Sequence, residues 1–392
     1  MSAELENELK TFFIDLQERG VIADCANLEN NFYQLNPNEK VVYLGIDCTS
    51  ESLHIGHLFQ LIQTIRFAKK GFTVLLVLGE ATSIIGDPSD KSKERPRLAT
   101  EKINQYYQEI KNQLTRIVVR PPILETIEKV EFAPLRLYNH SPELLSNIYK
   151  ILGINSKDSN EKKWEKYLGY IWPLYDNKFK ILNNRQWLEK LGFIDFIDKV
   201  GRNITINYLL AKETIKQRVN SKTGLSFLAF SYSLLQAYDF WYLYQNYNCH
   251  GQLGGSDQWG NLTTGLKLIN NIHPTNKTFV FTFPLLTDKE GKKISKSENG
   301  QKKLWLNSKK EHLVDFFFNL SDSEAQTFIR KFTFLEEIQI RELLNFPPRL
   351  RVLQKILIEI FFWLNYGELK SLENILEERE KKVSSKWKKK ER

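Results

Sequence analysis

His54 and His57 flank Ile55-Gly56 at the point where an apolar stretch gives way to a helical one. Imidazoles one turn apart at a helix start lie beside unpaired backbone N–H groups and the positive end of the helix dipole. That is the make-up of an anion site. The same spacing is also half of a metal site, but no third ligand cluster stands near it in the sequence. A second set is Tyr232, Gln236 and Asp239, spaced i, i+4, i+7 and therefore on one face of a helix. Such a triple serves either as a mutually bonded core set or as the lining of a polar pocket. A third set is Lys292, Lys293 and Lys296, placed among Gly and Ser in residues 287–297. Flexible lysines on such a loop suit a polyphosphate that must be gripped and released. Lys91, Lys93 and Arg95 lie on a further loop, 79–95, broken by Gly86 and Pro88. They either close over an anion or form a solvated surface.

These side chains need elements to hold them. Val41 to Ile46 reads as a strand that stops at Asp47 and Thr49. Leu58 to Ala68 reads as a helix, and Phe72 to Leu78 as a buried parallel strand. Strand, helix, strand in this order is a βαβ unit, so the spacing predicts a doubly wound, Rossmann-like α/β domain with a parallel sheet. Ligands of such a domain sit beyond the carboxyl ends of its strands. Helices are predicted over 4–19 (stopped by Gly20), 101–117, 186–219, 230–240 and 261–270, with a strand near Gln252 and Leu253. Gly254-Gly-Ser-Asp-Gln-Trp-Gly-Asn261 lets backbone approach a ligand closely. An apolar segment covers Thr278 to Leu286. Residues 118–178 are less regular and hold Pro121, Pro122 and the aromatic set Trp164, Tyr167, Tyr170, Trp172 and Tyr175. They read as an insertion with a small core of its own, or as an aromatic interface. Beyond 300 only helical runs follow (311–319, 323–334, 336–344, 350–365 and 368–380). The expected division is a catalytic domain over 1–300, with the insertion 118–178 and a lysine loop at 287–300. A helical domain over 301–380 and a basic tail over 381–392 would complete it.

With 392 residues the chain can form two or three domains. Its formal charge of +9 favours an anionic partner such as nucleic acid, unless it is simple lysine richness. The three cysteines form no Cys-x-x-Cys, which fits a reducing compartment. No apolar run approaches the ~20 residues of a membrane span. Glu4, Glu6 and Glu8 make the N-terminus unlike a presequence. Cytoplasm is the expectation, with a mitochondrial or plastid matrix as the alternative. Three Asn-x-Thr matches, at Asn203, Asn261 and Asn276, are discounted because nothing suggests secretion.

His54-Ile-Gly-His57 and Lys293-Ile-Ser-Lys-Ser297, in this order, resemble the two nucleotide-binding motifs of class I aminoacyl-tRNA synthetases. Tyr43-Leu-Gly-Ile-Asp-Cys-Thr49, Ile85-Gly-Asp-Pro-Ser89, Leu235-Gln-Ala-Tyr-Asp-Phe240 and the 254–261 segment resemble the bacterial and organellar tyrosyl-tRNA synthetases in particular. The resemblance covers about 1–117 and 179–380. It implies activation of L-tyrosine by ATP, with Mg²⁺ accompanying the nucleotide and no tightly bound protein metal. Tyrosine would then pass to the 3′ end of tRNA(Tyr). A homodimer and no membrane association are also implied.

The resemblance assigns roles residue by residue. Thr49, His54 and His57 would stabilise charge developing on the phosphates. Lys91 and Arg95 would close on pyrophosphate from one side, Lys293 and Lys296 from the other. Tyr43 and Asp239 would read the tyrosine hydroxyl: the carboxylate accepts its proton and Tyr43 donates to the same oxygen. A pocket that buries groups paired to this hydroxyl rejects phenylalanine by about 10⁴–10⁵, a ratio known for tyrosyl enzymes themselves. Asp87, Tyr232 and Gln236 would hold the substrate ammonium, and Gln258 would place the carboxylate. Asp47, Gly255 and Asp257 would line the nucleotide side, with His54, His57 and the Lys293, Ile294, Ser295, Lys296, Ser297 motif.

Some positions depart from the pattern. Cys48 stands where many relatives have Pro, Leu44 offers the ribose no polar contact, and Ile294 replaces the more usual Met. The expectation is of no S4-like RNA-binding domain, which bacterial relatives usually carry, after the helical run; the tail 381–392 is basic. Two other readings stand beside this one. One is a synthetase-derived RNA-binding or splicing protein without aminoacylation, which loss of the phosphate-gripping residues would favour. The other is a tryptophan enzyme, which Tyr43 with Asp239 argues against because indole has no hydroxyl to satisfy them.

Overall fold

A computed structural model describes residues 3–87, 98–119, 141–171, 178–219, 225–287 and 304–366, with 372, 374–376 and 379. Its contacts divide the chain into two units. The first comprises 1–52, 56–112 and 175–286; the second comprises 53–55, 113–174 and 287–392.

The first unit is built on one sheet of β1 (Asp24–Ala26), β2 (Val41–Asp47), β3 (Thr73–Gly79), β4 (Phe179–Asn183), β5 (Gly251–Gly255) and β6 (Phe279–Phe283). Their spatial order is β1-β6-β5-β2-β3-β4. β2 pairs in parallel with β3 and β5, β3 with β4, and β5 with β6; only β1 is antiparallel. This is the expected α/β class. β2 and β3 lie inside the sheet, which is why their sequences are continuous apolar runs. β1 and β4 sit at its edges. The first has three residues and the second carries Lys180 between Phe179 and Ile181. Neither shows a sustained run, and the sequence did not predict them.

Alternation along β2 sends Val42 and Leu44 to one face and Tyr43 to the other. On the first face Phe67, from the helix Ile55–Lys69, meets Phe12, Phe72 and Phe281 edge-on at 5.0, 5.2 and 5.7 Å. Each such ring, fully buried, contributes about 1.5–3 kcal/mol. On the second face Tyr43, Leu75, Val77 and Val280 pack with Trp187, Ala237, Phe240 and Leu262. The helices Phe227–Tyr247 and Trp259–Ile272 supply most of that layer. Residues 186–219, expected as helical, are broken into short helices. One starts at Thr205, whose hydroxyl accepts from the Tyr208 N–H.

The second unit is helical among its described residues. Lys310–Phe318, Asp322–Phe332, Glu337–Leu344 and Val352–Tyr366 follow the expected spacing closely. Ser321 and Glu324 form a reciprocal capping box at the second of these. Phe361, on the last helix, meets Phe317 at 4.3 Å and Phe332 at 5.2 Å. The described part of the insertion forms the helices Pro142–Ile151 and Asn160–Ile171. It does not make an isolated core. Phe334 N donates to Tyr170 O (2.8 Å) and Gln339 Nε2 to Ile151 O (3.0 Å). Leu144, Ile148, Trp164 and Tyr167 are buried, but two short helices bury too little surface to stand alone. Trp172, Tyr175, most of the run 368–380 expected to be helical and the tail 381–392 lie outside the described residues.

Candidate active site

The polar groups of the first unit converge at the carboxyl end of β2. Asp47 is its last residue and stands in register with Gly79 of β3. A Cβ at Gly79 would collide with the Asp47 carboxylate and the Thr82 hydroxyl, so their placement there needs glycine. The two Asp47 oxygens accept from Thr82 Oγ1 and Tyr232 Oη, each at 2.8 Å. Tyr232 therefore reaches from the 227–247 helix onto the strand end, and that helix presents Tyr232, Gln236 and Asp239 on one face as expected.

Asp239 is nearly inaccessible, at 5% exposure. Its Oδ1 accepts from Trp187 Nε1 at 2.6 Å and its Oδ2 from Asn184 Nδ2 at 3.1 Å. Burial lifts its pKa to about 7, against the two hydrogen bonds, which favour the anion, and with a small further push from Asp47. Tyr43, beside it, is also buried. Its hydroxyl donates to Gln252 Oε1 (2.6 Å), and Gln252 Nε2 donates to Leu262 O (2.9 Å). Burial raises the Tyr43 pKa strongly, with the Asp239 charge adding and the Gln236 amide opposing.

Asp87 follows Gly86, which leaves the helix Glu80–Ile85 at φ 76°. It is buried and accepts from Gln258 Nε2 at 2.6 Å; Asn261 Nδ2 donates to Gln258 Oε1 at 3.1 Å. Three carboxylates bear on the Tyr232 hydroxyl. Burial raises its pKa well above the ordinary value, and then the charges of Asp47, Asp87 and Asp239 raise it further. Such a convergence of negative charge around a buried phenol favours a cation.

The other end of the site is more open. Thr49 in the β2 turn and His57 in the first helical turn are half-buried. Gly255 ends β5, where a Cβ would lie 2.5 Å from Asp257 Oδ1. Asp257 and Gln258 sit on the short turn Ser256–Gln258 that leads into the 259–272 helix. Lys212 supports that helix start: its Nζ donates to Gly260 O and Thr264 Oγ1 and lies 5.1 Å from the Tyr208 ring. Burial lowers its pKa to about 7. His54 belongs to the second unit, where it forms a β-bridge with Trp305. Lys91, Arg95, Lys293, Ile294, Ser295, Lys296 and Ser297 lie outside the described residues.

A family described as class I tRNA synthetases for tryptophan and tyrosine (W and Y) matches residues 36–130 and 145–384. The chain belongs to this family. It is 34% identical over 359 residues to the tyrosine–tRNA ligase of Flavobacterium johnsoniae, covering 90% of this chain and 70% of that protein. It is 35% identical over 356 residues to the tyrosine–tRNA ligase of Porphyromonas gingivalis, with 89% and 70% covered. Its fold is similar to that of a C-terminally truncated mitochondrial tyrosyl-tRNA synthetase of Aspergillus nidulans. The TM-score is 0.71 at 24% identity, over 96% of this chain and 97% of that one.

Against this class I synthetase frame, the expected residues of the first unit, Tyr43, Asp47, Asp87, Tyr232, Gln236, Asp239, Gly255, Asp257 and Gln258, lie on the strand ends and helices named above. Sequence reasoning missed their partners. Trp187 and Asn184 fix the Asp239 carboxylate, Thr82 the Asp47 carboxylate and Gln252 the Tyr43 hydroxyl, and Gly79 makes room for Asp47. A sequence signal did exist for Gln252: a polar side chain on an otherwise apolar central strand must find a partner. Trp187 and Asn184 gave none, because their role depends on where β4 delivers them.

Proposed function

We propose that this synthetase activates L-tyrosine with ATP and transfers it to tRNA(Tyr). The observation that carries the reading is the buried polar cluster of Tyr43, Asp239 and Tyr232 with Asp47 and Asp87. It pairs a hydroxyl-reading end with a cation-favouring end on one apolar face, which is the chemistry of a tyrosine zwitterion's phenol and ammonium. Asp239 accepts the phenol proton; Asp87, Tyr232 and Gln236 hold the ammonium, and Gln258 directs the carboxylate. ATP enters with its Mg²⁺. A substrate carboxylate oxygen attacks the α-phosphorus and the bond to pyrophosphate breaks. Thr49, His54 and His57, with Lys91, Arg95, Lys293 and Lys296 in the roles that the motifs give them, stabilise the phosphate charge. A ribose hydroxyl of the tRNA 3′ end then attacks the acyl carbon and AMP leaves.

The helices of 301–380 serve the tRNA in this reading, helped by the excess of positive charge. The functional unit is a homodimer: Phe193, Ile194, Ile206, Leu210, Phe227 and Leu228 are 39–76% exposed in one stretch of chain, more apolar surface than scattered residues explain. A second copy is the partner that fits, and sedimentation of the whole chain tests it; a monomer at micromolar concentration would contradict it. The activity is tested by ATP–pyrophosphate exchange with each of the twenty amino acids. Exchange with tyrosine alone is expected. Exchange with tryptophan alone, or with none, overturns the proposal.

A further inference from the structure

We infer that Trp305 is a positioning residue for the His54 imidazole. This rests on the reading of His54 as a phosphate-stabilising group and adds a residue that the reading does not contain. Trp305 lies outside both nucleotide-binding motifs, eight residues beyond Ser297. The structure sets it directly opposite His54 in a short antiparallel bridge. Two backbone hydrogen bonds hold this bridge: Leu306 N donates to Leu53 O at 2.8 Å, and Ile55 N donates to Leu304 O at 3.0 Å. The four flanking side chains, Leu53, Ile55, Leu304 and Leu306, are buried, so the bridge is anchored from behind. Directly opposed residues of an antiparallel pair share a face. The indole and imidazole accordingly meet edge-on, with ring centroids 5.8 Å apart and planes at 65°.

The physical consequence is orientational. An imidazole at a helix start has two free torsions, and its use to a developing phosphate charge depends on where its N–H points. The bridge fixes the His54 backbone and the indole edge closes off part of the side chain's rotation. A group held in place before the reaction spends no free energy on being ordered during it. Trp305 therefore acts on the adenylation step through His54, and not on tyrosine binding.

The test is a double-mutant cycle in tyrosine-dependent ATP–pyrophosphate exchange, using the whole chain and the variants Trp305→Leu, Trp305→Phe, His54→Ala and His54→Ala with Trp305→Leu. Trp305→Leu should lower kcat by about tenfold to a hundredfold, the scale of a misplaced catalytic group, and leave the tyrosine KM within about twofold. Trp305→Phe, which keeps an aromatic edge, should retain most of the rate. In the His54→Ala background the Leu substitution should cost nothing more. The same loss of rate in both backgrounds, or a loss that falls on the tyrosine KM, overturns the proposal. Absence of exchange in the unsubstituted chain instead overturns the functional reading beneath it. Should Trp305→Leu fail to fold, the Phe variant carries the test by proton NMR. The His54 ring resonances, identified among the six histidines by their loss in His54→Ala, must shift when indole is replaced. Resonances that stay in place overturn the contact.

Discussion

The two ends of the first unit's site are built differently. At the end proposed to read the tyrosine hydroxyl, Asn184, Trp187, Gln252, Tyr43 and Asp239 are all at most 5% exposed, and each makes at least one hydrogen bond to another protein group. At the end proposed for the nucleotide, Thr49, His57, Asp257 and Gln258 are only half-buried. The contrast follows from the two tasks. Telling tyrosine from phenylalanine requires polar groups that are dry and already oriented, because an unpaired buried group costs about 1–3 kcal/mol. Stabilising a triphosphate during transfer requires donors that a large, charged and departing ligand can reach.

The largest expected break in this comparison is Asp239→Ala. It strands the buried donor Trp187 Nε1 and leaves Asn184 Nδ2 only its bond to Thr82 Oγ1, so stability should fall by about 1–3 kcal/mol in urea denaturation. Tyrosine-dependent exchange should be lost as well. If the variant kept tyrosine exchange at near the original KM, Asp239 would not be reading the hydroxyl. Next in size is His57→Ala, at the open end. Steady-state exchange should show kcat lowered by about 10²–10³ with tyrosine affinity unchanged, since the donor matters as charge develops. A change confined to tyrosine KM would place His57 in the wrong half of the site.

How much of this was legible in the sequence depended on burial and on locality. β2, β3, the helix after His54 and the helices beyond 304 carry hydrophobic periods of their own, so they were read to within a few residues. The same-face triple Tyr232, Gln236 and Asp239 was legible because helical spacing is local information. The partners were not. Asn184 and Trp187 follow an edge strand with no apolar run, the second on the short helix Arg185–Leu188, and they meet Asp239 across 55 and 52 residues of chain. Only the sheet order brings them together. Gly79 reads as the end of a strand, and its role appears only when Asp47 is opposite. The hydrogen bonds of the insertion's described helices to Phe334 and Gln339 were not legible either, because they span more than 160 residues of chain.

A smaller effect sharpens the account of the dry end. Trp187→Phe removes one donor to Asp239 and keeps most of the ring. Selectivity for tyrosine over phenylalanine should fall by about tenfold, the worth of one buried hydrogen bond. An unchanged ratio would mean that Asn184 alone orients the carboxylate. The smallest effect is in pH. Asp239 holds its proton to about pH 7 in the folded chain, against about 4 for an ordinary aspartate. The folded state thus binds more protons between those values, and stability should fall as pH rises from about 4 to 7 and level off above. Tyrosine binding, which uses the carboxylate as acceptor, should strengthen as pH rises through about 7. Asp239→Asn should flatten both profiles; profiles that keep their slope would assign the titration to another group.

The most direct test of the central claim is the ratio of kcat/KM for tyrosine and phenylalanine in ATP–pyrophosphate exchange with the unsubstituted chain. A buried, prepaired reader of the phenol hydroxyl predicts a ratio of about 10⁴–10⁵, as tyrosyl enzymes show. A ratio near the tens, the value of a merely apolar slot, would contradict it.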